Sequence, residues 1–130
     1  MKDFFSHYKK HFQFALHTPE STLSSKIQEA SLHRPGLALT GFTDVFSYQR
    51  VQIIGSTEWS YLESVGEDKR KECFTKLAQF QTPLWVLTHG LEPHPEMVEM
   101  CIAKNEPLLV TPKPTMEFMG SLQDLLDEYF

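Results

Sequence analysis

The 130 residues are 41% hydrophobic and 22% charged, with a net charge of −5 and a pI near 5.6. A chain of this length buries roughly two-thirds of its unfolded surface, so one core needs neither metal nor disulfide. The acidic balance argues against a nucleic-acid surface; the one basic cluster, Lys69-Arg70-Lys71, is flanked by Glu67, Asp68 and Glu72, which cancel its field.

In chain order, Phe4, Phe5 and Tyr8 share a helical face, predicting a helix over 2–10. Phe12, Phe14 and Leu16 then alternate with Gln13 and Ala15, the period of a strand. Residues 18–25 read as a polar loop, followed by a short strand around Ile27. Pro35 can open a brief helical segment carrying Leu37 and Leu39. Val51-Gln52-Ile53-Ile54 is a β-branched strand ending at Gly55. Ser56 or Thr57 is placed to cap a helix that buries Trp59, Leu62 and Val65 and stops at Gly66.

A second helix over 67–79 buries Cys73, Phe74 and Leu77 before Pro83 forbids its continuation. Leu84-Trp85-Val86-Leu87 has the unbroken apolar character of a parallel strand covered on both faces. Pro95 opens a helix to Lys104 that Asn105 closes, and Leu108-Leu109-Val110 is the last strand. From Thr115 a stripe of Phe118, Met119, Leu122, Leu125, Leu126 and Tyr129 defines an amphipathic helix. Strand–helix alternation from residue 51 predicts one α/β domain over 1–130: a three-layer α/β/α arrangement with a mostly parallel sheet of about four to five strands.

In such sheets ligands collect where the carboxyl ends of strands lead into helices. The loops Gly55–Glu58, Thr88–Glu92 and Thr111–Thr115 qualify. Their candidate binding residues are Ser56, Thr57, Glu58, His89, Thr111, Lys113 and Thr115, with hydroxyls beside helix N–H groups and Lys113 as the cation. The competing reading is that these hydroxyls only cap helices. His89, Glu92 and His94 do not make a metal site, because Pro93 and Pro95 break the helical spacing that stacked ligands need. Gly36-Leu37-Ala38-Leu39-Thr40-Gly41-Phe42-Thr43 imitates a phosphate loop but has Phe42 where the lysine must stand. No catalytic residue is assigned. Cys73 and Cys101 read as unpaired buried thiols, and neither a signal peptide nor a membrane-spanning run is evident, so the expected location is cytoplasmic.

Two blocks stand out together: Arg34-Pro35-Gly36-Leu37-Ala38-Leu39-Thr40-Gly41-Phe42, and Gly55-Ser56-Thr57-Glu58 followed by Ser60-Tyr61-Leu62-Glu63. With Thr88-His89-Gly90-Leu91-Glu92-Pro93 and Pro107-Leu108-Leu109-Val110-Thr111-Pro112, they make the chain resemble the N-terminal domain of HPr(Ser) kinase/phosphorylases. Val45 and Ser47 depart from that pattern, where an aromatic and a proline are common. The resemblance implies a fold similar to the UDP-binding domain of Mur ligases. It also implies a bacterial parent enzyme that phosphorylates a serine of the phosphocarrier HPr with ATP and Mg²⁺ in carbon-catabolite regulation, and removes that phosphate by phosphorolysis. Those activities belong to a phosphate-loop domain without counterpart here. The implied partners are therefore that kinase domain, HPr indirectly, and a further copy of the chain, with no cofactor, nucleic acid or membrane. A nucleotide or sugar-phosphate sensor, or a pure assembly module, are the rival readings.

Overall fold

The computed structural model describes residues 1–44 and 46–130; the departure noted at Val45 lies outside the described residues. In order, the elements are α1 (Lys2–Phe12), β1 (Ala15–Leu16), a 3₁₀ turn (Glu20–Ser24), β2 (Leu32–His33), α2 (Gly36–Leu39), β3 (Val51–Ile54), α3 (Ser56–Val65), α4 (Glu67–Leu77), β4 (Trp85–Leu87), α5 (Pro95–Lys104), β5 (Leu108–Val110) and α6 (Thr115–Tyr129).

The five strands lie in the order β1-β5-β4-β3-β2. Only β1 is antiparallel, with Ala15 opposite Val110. The parallel pairs place Leu32 beside Val51, Gln52 beside Trp85 and Trp85 beside Leu108. Strand side chains alternate between faces, and the packing follows that period. Ile54, Trp85, Leu87, Leu108 and Val110 face Leu39, Leu62, Phe74, Leu77 and Met97, so α2, α3, α4 and α5 cover one face. Val51, Ile53, Val86 and Leu109 face Phe12, Phe118, Leu122 and Leu126, so α1 and α6 cover the other. The fold is a three-layer α/β/α domain.

Several local expectations are corrected. The opening helix runs on through Phe12 because Gln13 turns it left-handed at φ 55°, which leaves two strand residues instead of five. The predicted polar loop contains a 3₁₀ turn that buries Thr22 and Leu23. Ile27 packs from an irregular segment, and the edge strand forms instead at Leu32–His33. Trp59 and Val65 stay partly exposed, so Leu62 is the buried apolar anchor of α3. Tyr129 is 83% exposed, so the docked stripe of α6 ends at Leu126. Cys73 and Cys101 are buried and unpaired. Burial and nearby Glu106 push the Cys101 thiol above its usual range, which leaves it a small hydrophobe.

Polar groups clamp the helical layer. Arg70 on α4 donates to Glu96 on α5 at 2.7 Å and to the Leu62 carbonyl at 3.0 Å. Burial raises the Glu96 pKa, but the bond and charge of Arg70 outweigh it and hold the carboxyl below its ordinary range. Glu106, fully buried, accepts from the Thr82 N–H at 2.7 Å, the Thr82 hydroxyl at 2.8 Å and the Trp85 indole at 3.1 Å. The Lys104 ammonium lies 3.0 Å from it as a charge contact.

Candidate functional site

Parallel pairing brings the loops after β2, β3, β4 and β5 to one edge. Gly55, directly after β3, serves as the cap of α3. Ser56 and Thr57 therefore lie inside the helix rather than capping it, with exposed side chains that make no hydrogen bond among the described residues. Capping is done by Glu58, whose Oε1 accepts the Gly55 N–H at 3.0 Å. The same carboxylate receives Arg34, from the loop after β2, through Nε at 2.8 Å and Nη2 at 2.6 Å. This is a two-pronged pair between planar groups, the geometry that gives Arg–carboxylate contacts their specificity. Its Glu58 side is 7% exposed and its Arg34 side 35%.

Gly55 is where this pair meets α6. A Cβ there would stand 2.5 Å from Arg34 Nη2, 2.8 Å from Thr115 Oγ1 and 3.1 Å from Glu58 Oε1. The Thr88 and Thr115 hydroxyls lie 2.7 Å apart, and Thr88 Oγ1 also reaches the Ile54 carbonyl at 3.3 Å. If Thr88 donates to that carbonyl, Thr115 must donate to Thr88. His89 Nε2 accepts the Thr115 N–H at 3.3 Å, which places the neutral ring's proton on Nδ1. His89 and Gly90 are both left-handed, at φ 59° and 61°. That turn lets the His89 N–H reach the Lys113 carbonyl and the Gly90 N–H reach the Thr111 carbonyl, each at 2.9 Å. Thr111 itself is fully buried and donates its hydroxyl to the Phe12 carbonyl at 2.6 Å.

Of the residues predicted for this edge, Glu58 thus joins Arg34 and Gly55, and His89 and Thr115 join Thr88, the two hydrogen-bonded groups meeting at Gly55. Thr111 is directed toward α1, while Ser56, Thr57 and Lys113 sit at the rim. Sequence reasoning left Arg34, Gly55 and Thr88 out of the set. Thr88 and Gly55 lie in loops already singled out, whereas the signal for Arg34 was that it opens the Arg34–Phe42 block. Of His89, Glu92 and His94, weighed together for a metal, His89 lies in the strand-end loops and His94 is held elsewhere. His94 Nε2 contacts Glu63 at 3.0 Å and its ring stacks on Trp59 at 5.0 Å, while the Trp59 indole donates to the Glu92 carbonyl at 2.8 Å. Two clefts lie elsewhere: about 600 Å³ between the start of α1 and the end of α6, and about 380 Å³ along α4 and α5.

With this geometry in place, the comparison with known families is decisive. Residues 4–126 match the family model described as HPr Serine kinase N terminus. The chain belongs to the HPr serine kinase N-terminal family. Among curated relatives, the HPr kinase/phosphorylase of Chlorobium phaeovibrioides is 40% identical over 105 residues, covering 81% of this chain and 32% of that protein. That of Leptospira biflexa is 41% identical over 115 residues, covering 88% and 36%, and that of Chlorobaculum tepidum 36% identical over 129 residues, covering 98% and 38%. The chain therefore spans about a third of the length of these HPr kinases. A solved structure of the CBS and DRTGG domains of the regulatory region of Clostridium perfringens pyrophosphatase, complexed with the activator diadenosine tetraphosphate, aligns over 78% of this chain and 42% of its own. At 15% identity and a TM-score of 0.47 it carries no argument.

Proposed function

We propose that this chain is a non-catalytic accessory domain of an HPr kinase/phosphorylase, whose parent enzyme uses ATP and Mg²⁺ to phosphorylate a serine of HPr. The observation that carries this reading is the closure of the strand-end edge on itself. Arg34 is bound by Glu58, Thr88 by Thr115 and Ile54, and the Thr115 N–H by His89. These groups are occupied in joining loops, whereas a phosphoryl-transfer centre must keep its cations and backbone N–H groups free for the nucleotide.

The residues do not fit ATP either. The only Gly-x₄-Gly-x-Thr segment starts as the helical turn α2, and Phe42, 48% exposed, stands in place of the lysine. No phosphate cradle follows from such a segment. ATP and Mg²⁺ belong, on this reading, to another part of the parent protein. HPr would meet that part first, and this domain only through it.

The test is direct. Pure chain, incubated with ATP, Mg²⁺ and HPr, is expected to leave HPr without phosphoserine by intact-mass analysis. Phosphoserine that appears with the wild-type chain and vanishes with Arg34→Ala would overturn the proposal.

A further inference from the structure

The cleft of about 600 Å³ lies at the far end of α6, roughly 16 Å along the helix from Thr115 to Leu126, and is separate from the strand-end edge. Its size falls within the roughly 300–1,000 Å³ of small-molecule sites. Phe4, Tyr8, Leu126 and Tyr129 stand among its walls, with the Phe4 and Tyr8 rings packed on each other at 5.3 Å. A ligand seated there would meet a largely aromatic surface.

Two side chains of opposite charge line the same space, Asp3 and Lys26. Both are exposed, and among the described residues neither forms an ion pair, with the other or with any third group. Their fields nonetheless meet inside the cleft. Burial lowers the pKa of the Met1 amine, also on the lining, while Asp3 opposes that shift and Lys26 adds to it. The last turn of α6 ends at this cleft and brings the partial negative charge of its carbonyls. Aromatic faces attract an ammonium group as well. The cleft thus offers apolar surface, a place for an ammonium and a place for a carboxylate.

We propose that this cleft binds a free amino acid with a large apolar side chain. Its carboxylate pairs with Lys26, its ammonium with Asp3 and the carbonyl end of α6, and its side chain displaces water from Phe4, Tyr8 and Leu126. A zwitterion satisfies both charges at once, whereas a simple acid or a simple amine leaves one of them without a partner. Because Asp3 and Lys26 are exposed, each charge contributes modestly and the aromatic walls supply the remainder.

Titration of the whole chain with L-phenylalanine, followed by amide NMR shifts, tests this. Saturable shifts are expected at Phe4, Tyr8, Lys26 and Leu126, with a Kd of about 1 mM or tighter. Phenylacetate, which lacks the ammonium, and phenethylamine, which lacks the carboxylate, should each bind about fivefold or more weakly. The deciding arms are two substitutions at the surface. Lys26→Ala should abolish the preference for L-phenylalanine over phenethylamine and keep that over phenylacetate, and Asp3→Asn should do the reverse. Each reading is a ratio of affinities on one variant, so a small change in stability leaves it unaffected. No saturable shift up to about 10 mM, equal affinity for the three compounds, or preferences indifferent to both substitutions would each overturn the proposal.

Discussion

Gly55 is fixed by crowding alone. Its backbone, φ −96° and ψ −174°, suits any residue, so alanine would meet no dihedral penalty there. The obstacle is the pinned Arg34–Glu58 pair on one side and the Thr115 hydroxyl on the other. Gly55→Ala should therefore cost about 1–3 kcal/mol, the range for overpacking. Gly36, whose added Cβ would meet nothing closer than 4.0 Å, is the control, and Gly36→Ala should be near neutral. Thermal melts of the two variants check this, and equal midpoints would mean that the strand-end cluster yields freely.

A second residue couples the fold to pH. Burial, reinforced by the charge of Arg50, lowers the pKa of His33 below its ordinary value near 6.5. As pH falls through 6.5 the unfolded chain takes up the proton first, so it binds more protons than the native state and stability declines. The contribution is fully present above that pH and is lost progressively toward the native-state pKa. His33→Gln should flatten the loss of melting temperature between about pH 7 and pH 5.5 relative to wild type. Parallel curves for the two proteins would show that His33 titrates alike in both states.

At the scale of elements, α6 shows what a pattern of apolar residues can and cannot settle. Phe118, Leu122 and Leu126 are buried and Met119 and Leu125 half-buried, as helical spacing requires, but Tyr129 is left exposed one turn further on. Leu122→Ala should cost about 2–5 kcal/mol, the range for emptying a buried leucine site. Glu128→Ala should stay within about 0.5 kcal/mol, and Tyr129→Ala should do the same. Denaturant titrations separate these outcomes; a large loss at Tyr129 would contradict its exposure.

The same contrast explains which elements were legible. Helix α5 could be read from residue to residue because Pro95 and Asn105 mark both ends chemically, Asn105 adopting φ 56°. Strands β3, β4 and β5 were legible because each is buried on both faces and unbroken. Strand β2 was not, since two half-buried residues at a sheet edge carry no periodicity. The candidate site was legible as a set of loops, because strand ends gather by topology. Its connections were not: Arg34 and Glu58 are 24 residues apart, and nothing local marks them as partners. Nor could it be foreseen that Glu58, rather than Ser56 or Thr57, would cap α3.

Across the whole molecule, one thin sheet separates two apolar layers that share its strands residue by residue. Ile53 packs in the α1–α6 layer while Ile54 packs in the α2–α5 layer, and Val86 packs with the first while Trp85 and Leu87 pack with the second. Neither layer can lose its helices without stripping one face of strands whose other face is still packed. Edge strand β1 and the Thr111 hydroxyl on the Phe12 carbonyl tie α1 to the same sheet. The two cores should therefore melt as one cooperative unit. Trp85 and Trp59 both belong to the α2–α5 side, so tryptophan fluorescence reports that layer alone. Leu122→Ala removes packing only from the opposite layer, yet it should lower the fluorescence midpoint and the far-ultraviolet circular-dichroism midpoint by the same amount. If the fluorescence transition held its wild-type midpoint while helical signal was lost earlier, α1 and α6 would be an independently unfolding layer, and the sheet would not be the element that couples them.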